Sequence, residues 1–175
     1  MVKIAIVEDE KEYQNILLSY IERYQTEHFA ELTTTVYADG MDLVDEYHGG
    51  YDILLMDIKM KHLDGMKAAR KIRSIDQAVV IIFITTMAQY AVAGYEVDAL
   101  DFVLKPVEYA RFEPKLTKAI GLVEKQRKKK SILHQVEPNP TIWRSLERHL
   151  PINGQETISL RLRSNMLRYR LLWHI

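Results

Sequence analysis

"YDILLMDIKM", residues 51–60, is an apolar run that ends on a carboxylate. Ile53, Leu54, Leu55 and Met56 are four consecutive apolar residues, the pattern of a strand buried on both faces. Asp57 stands where that strand leaves the core, and Lys59 lies just beyond it. Strands covered on both faces belong to parallel sheets flanked by helices. The stretch therefore sets the fold class, and its last acid raises a question of chemistry.

Outward from this strand, strand-like and helix-like segments alternate. "VKIAIV" (2–7) reads as a strand. Tyr13, Ile16, Leu17, Tyr20, Ile21 and Tyr24 then recur at helical spacing. "LTTTVY" (32–37) is β-branched and strand-like. Asp39 is placed to cap a short helix carrying Leu43, Val44 and Tyr47. Asp64-Gly65 reads as a turn before a helix through Arg73. "VVIIFIT" (79–85) is the most apolar strand, a short helix fits 88–95, and "DFVL" (101–104) is the fifth strand. The last helix puts Phe112, Leu116, Ala119, Ile120 and Val123 on one face and ends in "KQRKKK". Five strands and five helices in alternation predict an α/β protein with a parallel sheet. Ligands of such sheets sit at the carboxyl ends of the strands, which is where Asp57 falls.

The 175 residues suffice for one domain with a sizeable core and an appendage. With 47% hydrophobic and 27% charged residues the composition is that of a soluble globular protein. No apolar run reaches the roughly 18 residues of a membrane span. "MVKIAIVEDE" turns acidic too early for a signal peptide, so the expected location is cytoplasmic, with no membrane partner. The absence of cysteine excludes disulfides, thiolate metal sites and cysteine nucleophiles. The net charge of zero conceals an asymmetry: residues 1–110 hold 19 acidic and 10 basic residues, and residues 111–175 hold 5 and 14. The basic half suits nucleic acid, docking on the acidic half, or simple solvation.

The strand ends carry the chemistry. Strand one ends in Glu8-Asp9-Glu10 and strand three in Asp57. Neighbouring strands lie about 4.8 Å apart, which would bring Glu8, Asp9 and Asp57 together. Two carboxylates about 5 Å apart repel by roughly 3 kcal/mol at an effective dielectric of about 20. Such a cluster calls for a cation, and hard oxygen ligands suit Mg²⁺. Strand four ends at Thr85, a hydroxyl donor, and strand five at Lys105-Pro106, a mobile positive charge. Any one of these residues alone reads equally as a strand-end surface group. Together they make Asp57 a nucleophile toward phosphorus, with Thr85, Lys105 and Mg²⁺ to spread the charge of a phosphoryl group.

These residues resemble the receiver domain of two-component response regulators over residues 1 to about 125. The matching pieces are "VEDE", "LLMDIKM", the following "LDG", "FITT" and "ALDFVLKPV". The resemblance implies a flavodoxin-like, doubly wound five-stranded sheet of order 2-1-3-4-5. It implies Asp57 as phosphoacceptor, and Mg²⁺ held by Asp9, Asp57 and the backbone carbonyl of Lys59, with Glu8 acting through water. It further implies a sensor histidine kinase as donor, a switch through Thr85 and Phe102, a cis bond before Pro106, and homodimerisation on phosphorylation. The chain departs from the family at Lys61, where proline is frequent, so that source of loop stiffness is missing.

"TTMAQYAVAGYEVDALDFVLKPV" is most similar to regulators with a LytTR-type DNA-binding output domain. On this reading residues 126–150 form a basic helix end and linker, broken by the prolines of "VEPNP" (136–140). "TIWRSLERHL" reads as a short helix. Residues 151–175 resemble the opening of the output domain, as a β-ribbon with Ile158, Leu160 and Leu162 on one face. Leu167, Tyr169, Leu171, Trp173 and Ile175 continue the alternation, and Ser164-Asn165 is the expected turn. The segment is far shorter than the roughly 100 residues a domain needs, so DNA binding is expected only of a complete output domain. Arg161, Arg163, Arg168 and Arg170 are candidate phosphate contacts, or an exposed face of the ribbon. An aspartyl-phosphate-forming phosphatase is the alternative function, opposed by Lys59 where such enzymes carry a second acid. A nucleotide- or flavin-binding module is opposed by the acidic "EDEKE" loop and the lack of a G-x-G-x-x-G run.

Overall fold

The structure is a computed structural model that describes residues 1–90, 93–135, 157–162 and 165–170. Its sheet contains β1 (Val2–Val7), β2 (Leu32–Tyr37), β3 (Ile53–Met56), β4 (Val80–Thr85) and β5 (Asp101–Leu104). All pairings are parallel and the order is β2-β1-β3-β4-β5, as expected. Among the described residues four α-helices connect or follow the strands: α1 (Lys11–His28), α2 (Gly40–Glu46), α3 (Gly65–Ile75) and α4 (Tyr109–Gln135).

Period-two alternation along the central strands feeds two cores. Ile4, Ile6, Ile53, Leu55, Ile82 and Ile84 pack with Leu17 and Ile21 of α1 and with Phe112, Leu116 and Ala119 of α4. Ala5, Val7, Leu54, Met56, Ile81 and Phe83 pack with Leu43 of α2 and with Met66, Ala69 and Ile72 of α3. Each fully buried Leu, Ile or Phe contributes about 1.5–3 kcal/mol by leaving water, so these faces hold the strand tips in place.

The segment read as a helix over 88–95 differs. It contains two 3-10 turns, Ala88–Tyr90 and Ala93–Val97. The Tyr90 amide donates to Met87 O and the Asp98 amide to Tyr95 O, both three-residue closures. Helix nucleation is costly in a short segment, and α3 holds the residues that follow it. Arg70 pairs with Glu96 at 2.6 Å. Arg73 donates to the carbonyls of Val97 at 2.9 Å and Asp98 at 3.3 Å. The pair Asp64-Gly65 is the start of α3 itself, with the Asp64 carboxylate accepting from the Lys67 amide at 2.9 Å.

The chain divides into two compact units, Met1–Lys130 and Ser131–Ile175. Within the second, β6 (Thr157–Leu162) and β7 (Asn165–Arg170) pair antiparallel. Ile158 faces Tyr169 and Leu160 faces Leu167, the expected ribbon. Leu162 pairs with Asn165, so Asn165 belongs to β7 and not to the turn. The readings of "VEPNP", "TIWRSLERHL", Arg163, Leu171, Trp173 and Ile175 lie outside the described residues.

Candidate functional site

The parallel register brings the strand tips to one level. Val7 pairs with Met56, and Met56 with Phe83. The Asp57 amide donates to Val7 O at 2.9 Å, and the Glu8 amide to Tyr37 O at 3.0 Å. The Lys105 amide donates to Thr85 O at 2.9 Å. Glu8, Asp57, Thr85 and Lys105 are thus each fixed by the last ladder bond of their strand, and all four are buried. The Lys105–Pro106 bond is cis.

The Lys105 side chain, only 1% exposed, reaches across the sheet. Its ammonium lies 2.8 Å from Asp57 Oδ2 and 2.7 Å from Glu8 Oε2. The contact to Asp57 has hydrogen-bond geometry. That to Glu8 Oε2 is a buried ion pair, and this oxygen has no other polar partner among the described residues. Burial pushes the Glu8 carboxyl above its ordinary range; Lys105 opposes that shift without cancelling it, and the Asp57 charge adds to it. Burial disfavours the Lys105 ammonium, but bonds to Asp57 and Glu8 outweigh it and hold its pKa above the ordinary lysine value.

Oxygens of Glu8, Asp9, Glu10 and Asp57 all lie within 4.8 Å of one another. Glu10 was not among the residues expected there; it is the exposed member, and its amide donates to Glu8 Oε1 at 3.3 Å. Lys59 joins the site through its amide, which donates to Asp57 Oδ1 at 3.2 Å. Four acids cluster here, and two of them, Glu8 and Asp57, share one ammonium. A hard divalent cation fits this donor set.

Thr85 is fully buried, and its Oγ1 accepts from the Met87 amide at 3.3 Å. Phe102 is half-buried, its ring 6.0 Å from that of Phe83. It borders a cavity of about 230 Å³ together with Gly94, Tyr95, Ala99, Leu100 and Asp101. The expected site residues therefore form an inner group of Glu8, Asp9, Asp57 and Lys105, with Thr85 at the adjoining tip of β4 and Phe102 on β5 behind it.

Supporting residues escaped the sequence reading. Gln14 is buried on α1 and donates from Nε2 to Glu8 O at 2.6 Å. Tyr13, counted above as part of the apolar stripe, has its ring centre 4.1 Å from the Lys105 ammonium. Asp39 caps α2 through the Met41 amide at 2.9 Å, as the sequence indicates; unforeseen is that it also accepts from the amides of His62 at 2.9 Å and Leu63 at 3.0 Å. These bonds pin the β3–α3 loop despite Lys61. A Cβ on Gly65 would overlap the Asp57 carbonyl oxygen. The only sequence signal for these roles is Asp39-Gly40 after β2 and Gly65 after Asp64, both readable as ordinary turn chemistry.

A buried acid thus stands beside a fixed ammonium at the carboxyl edge of a parallel sheet of order β2-β1-β3-β4-β5. A response regulator receiver domain model matches residues 4–117, and the chain belongs to that family. It is the receiver domain of a two-component response regulator, related to regulators of the LytTR type. It is 31% identical over 126 residues to the transcriptional regulatory protein YpdB of Escherichia coli K12, covering 71% of this chain and 50% of that one. The response regulatory domain of protein mrkE from Klebsiella pneumoniae superimposes with a TM-score of 0.64 at 29% identity, covering 71% of this chain and 99% of that one. The receiver domain of sensor histidine kinase PA1611 from Pseudomonas aeruginosa PAO1, solved with magnesium in its active-site cleft, gives 0.58 at 27%, covering 69% and 98%. The chain spans about half the length of the curated relatives it matches. No helix among the described residues is long and apolar enough to cross a membrane.

Proposed function

We propose that Asp57 accepts a phosphoryl group from a phosphohistidine of a sensor kinase, and that the added charge switches an output surface in transcription control. The supporting observation is the Lys105 ammonium within 2.8 Å of Asp57 and 2.7 Å of Glu8, in a cluster of four carboxylates. An Asp57 carboxylate oxygen attacks phosphorus; the P–N bond to the donor imidazole breaks and the imidazole keeps the electron pair. Lys105 is near enough to follow the phosphoryl oxygens as charge moves onto them. Asp9, Asp57 and the Lys59 carbonyl would hold Mg²⁺, with Glu8 acting through water. When bound, the ion supplies positive charge to the phosphoryl oxygens. The magnesium in the PA1611 receiver supports this assignment.

Thr85 exchanges the Met87 amide for the new anionic oxygen as its hydroxyl turns to donate. Phe102 follows into the space this opens, altering the face of β5 and α4 and favouring a homodimer. This is a two-state element biased by new charge-assisted bonds. The protein acts as a stoichiometric acceptor and hydrolyses its own phosphoaspartate, in the cytoplasm. Residues 1–125 are the receiver, 126–150 the helix end and linker, and 151–175 the beginning of an output module. DNA contact belongs to the complete module, in line with the transcriptional role in the name of YpdB.

The test is intact-mass measurement of the full chain after acetyl phosphate and Mg²⁺. One phosphoryl addition is expected, and none in Asp57→Asn. Uptake equal in both proteins would remove Asp57 from the role. Rapid multiple turnover of a small phosphoester would favour the phosphatase instead.

A further inference from the structure

The kinase-facing chemistry described above makes no use of the first turn of α1, yet that turn is built into the site. Gln14 ties it to the strand tip by donating from Nε2 to the Glu8 carbonyl at 2.6 Å. The Lys11 ammonium holds the other end of the same amide, donating to Gln14 Oε1 at 3.1 Å. With the turn fixed, the neighbouring Tyr13 presents its ring to Lys105, the ring centre 4.1 Å from Nζ. Cations are drawn to aromatic faces by the ring quadrupole, more strongly where water is excluded. The Lys105 side chain is 1% exposed, whereas Tyr13 is only half-buried, so the ring stands between the ammonium and solvent. Among the described residues the Tyr13 hydroxyl takes no hydrogen bond, which leaves the ring face as its contribution.

We infer that Tyr13 is a positioning residue for Lys105: its ring covers the ammonium and holds it against Glu8 and Asp57. A lysine ammonium is a point charge on a flexible stem with three donors, and two carboxylates do not by themselves fix its direction. Tyr13 adds a third neighbour, its ring centre 4.1 Å from Nζ. This role rests on the phosphoacceptor reading only for its benefit to catalysis; the cover itself is a property of the resting protein.

The experiment therefore has two readouts on the full chain. The first is acylation of Lys105 by acetic anhydride without Mg²⁺, followed by peptide mass spectrometry against the exposed Lys125 as internal standard. The second is the initial rate of phosphorylation by acetyl phosphate with Mg²⁺. Tyr13→Leu keeps bulk and loses the ring face; it is expected to raise relative Lys105 acylation about tenfold and to slow phosphorylation by a similar factor. Tyr13→Phe keeps the ring and restores both. Tyr13→Trp, the strongest cation–π partner, protects Lys105 at least as well as the native residue. If Tyr13→Leu does not fold, the Phe and Trp variants decide: loss of protection in either overturns the proposal. Lys105 acylation unchanged in folded Tyr13→Leu also overturns it, as does a Phe variant as impaired as Leu. A native protein that protects Lys105 but takes no phosphoryl group overturns the phosphoacceptor reading and leaves Tyr13 as cover.

Discussion

Two loops flank Asp57 and they are held in opposite ways. The β3–α3 loop is fixed from outside itself. Asp39 accepts the His62 and Leu63 amides, Gly40 lies so close that a Cβ would come 2.5 Å from Leu63 O, and the Gly65 amide donates to Ile58 O at 2.9 Å. The connection from β4 to β5 is fixed from outside at its far end, by Arg70 and Arg73 acting on Glu96, Val97 and Asp98. At its near end the hydrogen bonds of Thr86–Tyr90 are local: Met87 to Thr85 Oγ1, Ala88 to Thr86 O and Tyr90 to Met87 O. Local bonds re-form cheaply after a shift of backbone, whereas a mould made by other elements resists one. Among the described residues, the side of the site that would hold a cation is bonded by other elements, and the stretch just after Thr85 by hydrogen bonds of its own.

The strongest challenge to this contrast is Gly65→Ala. The added Cβ meets backbone at Asp57, which no side-chain rotation relieves, and the expected loss is about 3 kcal/mol. Urea denaturation measures it; a loss under about 1 kcal/mol would mean the loop is free to move. Asp39→Ala comes next, at about 2 kcal/mol, from one helix cap and two loop amides left without their acceptor. The same residue predicts a pH dependence. Burial would raise the Asp39 carboxyl, but the His62, Met41 and Leu63 amides hold it below the ordinary range. A depressed folded pKa gives stability that is present above the unfolded value of about 3.9 and is lost as pH falls through the folded one. The acid limb of the unfolding curve should therefore flatten in Asp39→Ala, and an unchanged limb would shift the acid sensitivity to other carboxylates. The smallest effect is expected of Arg73→Ala, about 1 kcal/mol globally. Its main signature is local: amide exchange at 97–99 should quicken while His62 and Leu63 stay protected. Equal quickening in both loops would erase the distinction between them.

The central strands were legible because burial on both faces writes apolar runs, and the edge strands through β-branched or short apolar stretches; β1, β2 and β5 begin and end where the pattern says. The short helix over 88–95 was misread for the opposite reason. Its residues suit a helix, but the described hydrogen bonds that its amides donate close over three residues or fewer, and the stretch after it is bound by guanidinium bonds from α3, more than 20 residues away in sequence. At the site, Asp57, Glu8, Asp9, Thr85 and Lys105 were visible as chemistry at strand ends. Tyr13, Gln14 and Asp39 were not, since each looks like routine helix-stripe or cap material until the packing shows what it touches.

Sequence alone determined the alternating elements, the two apolar faces of the sheet and the set of polar residues at its carboxyl edge. These follow from local spacing, which a chain carries with it. Only the tertiary structure decided that Lys105 crosses from β5 to meet Glu8 and Asp57, that Tyr13 lies over it, and that Asp39 moulds a loop more than 20 residues away. Those contacts depend on parallel register and on close approach between distant segments, and neither is written in any local stretch of the chain.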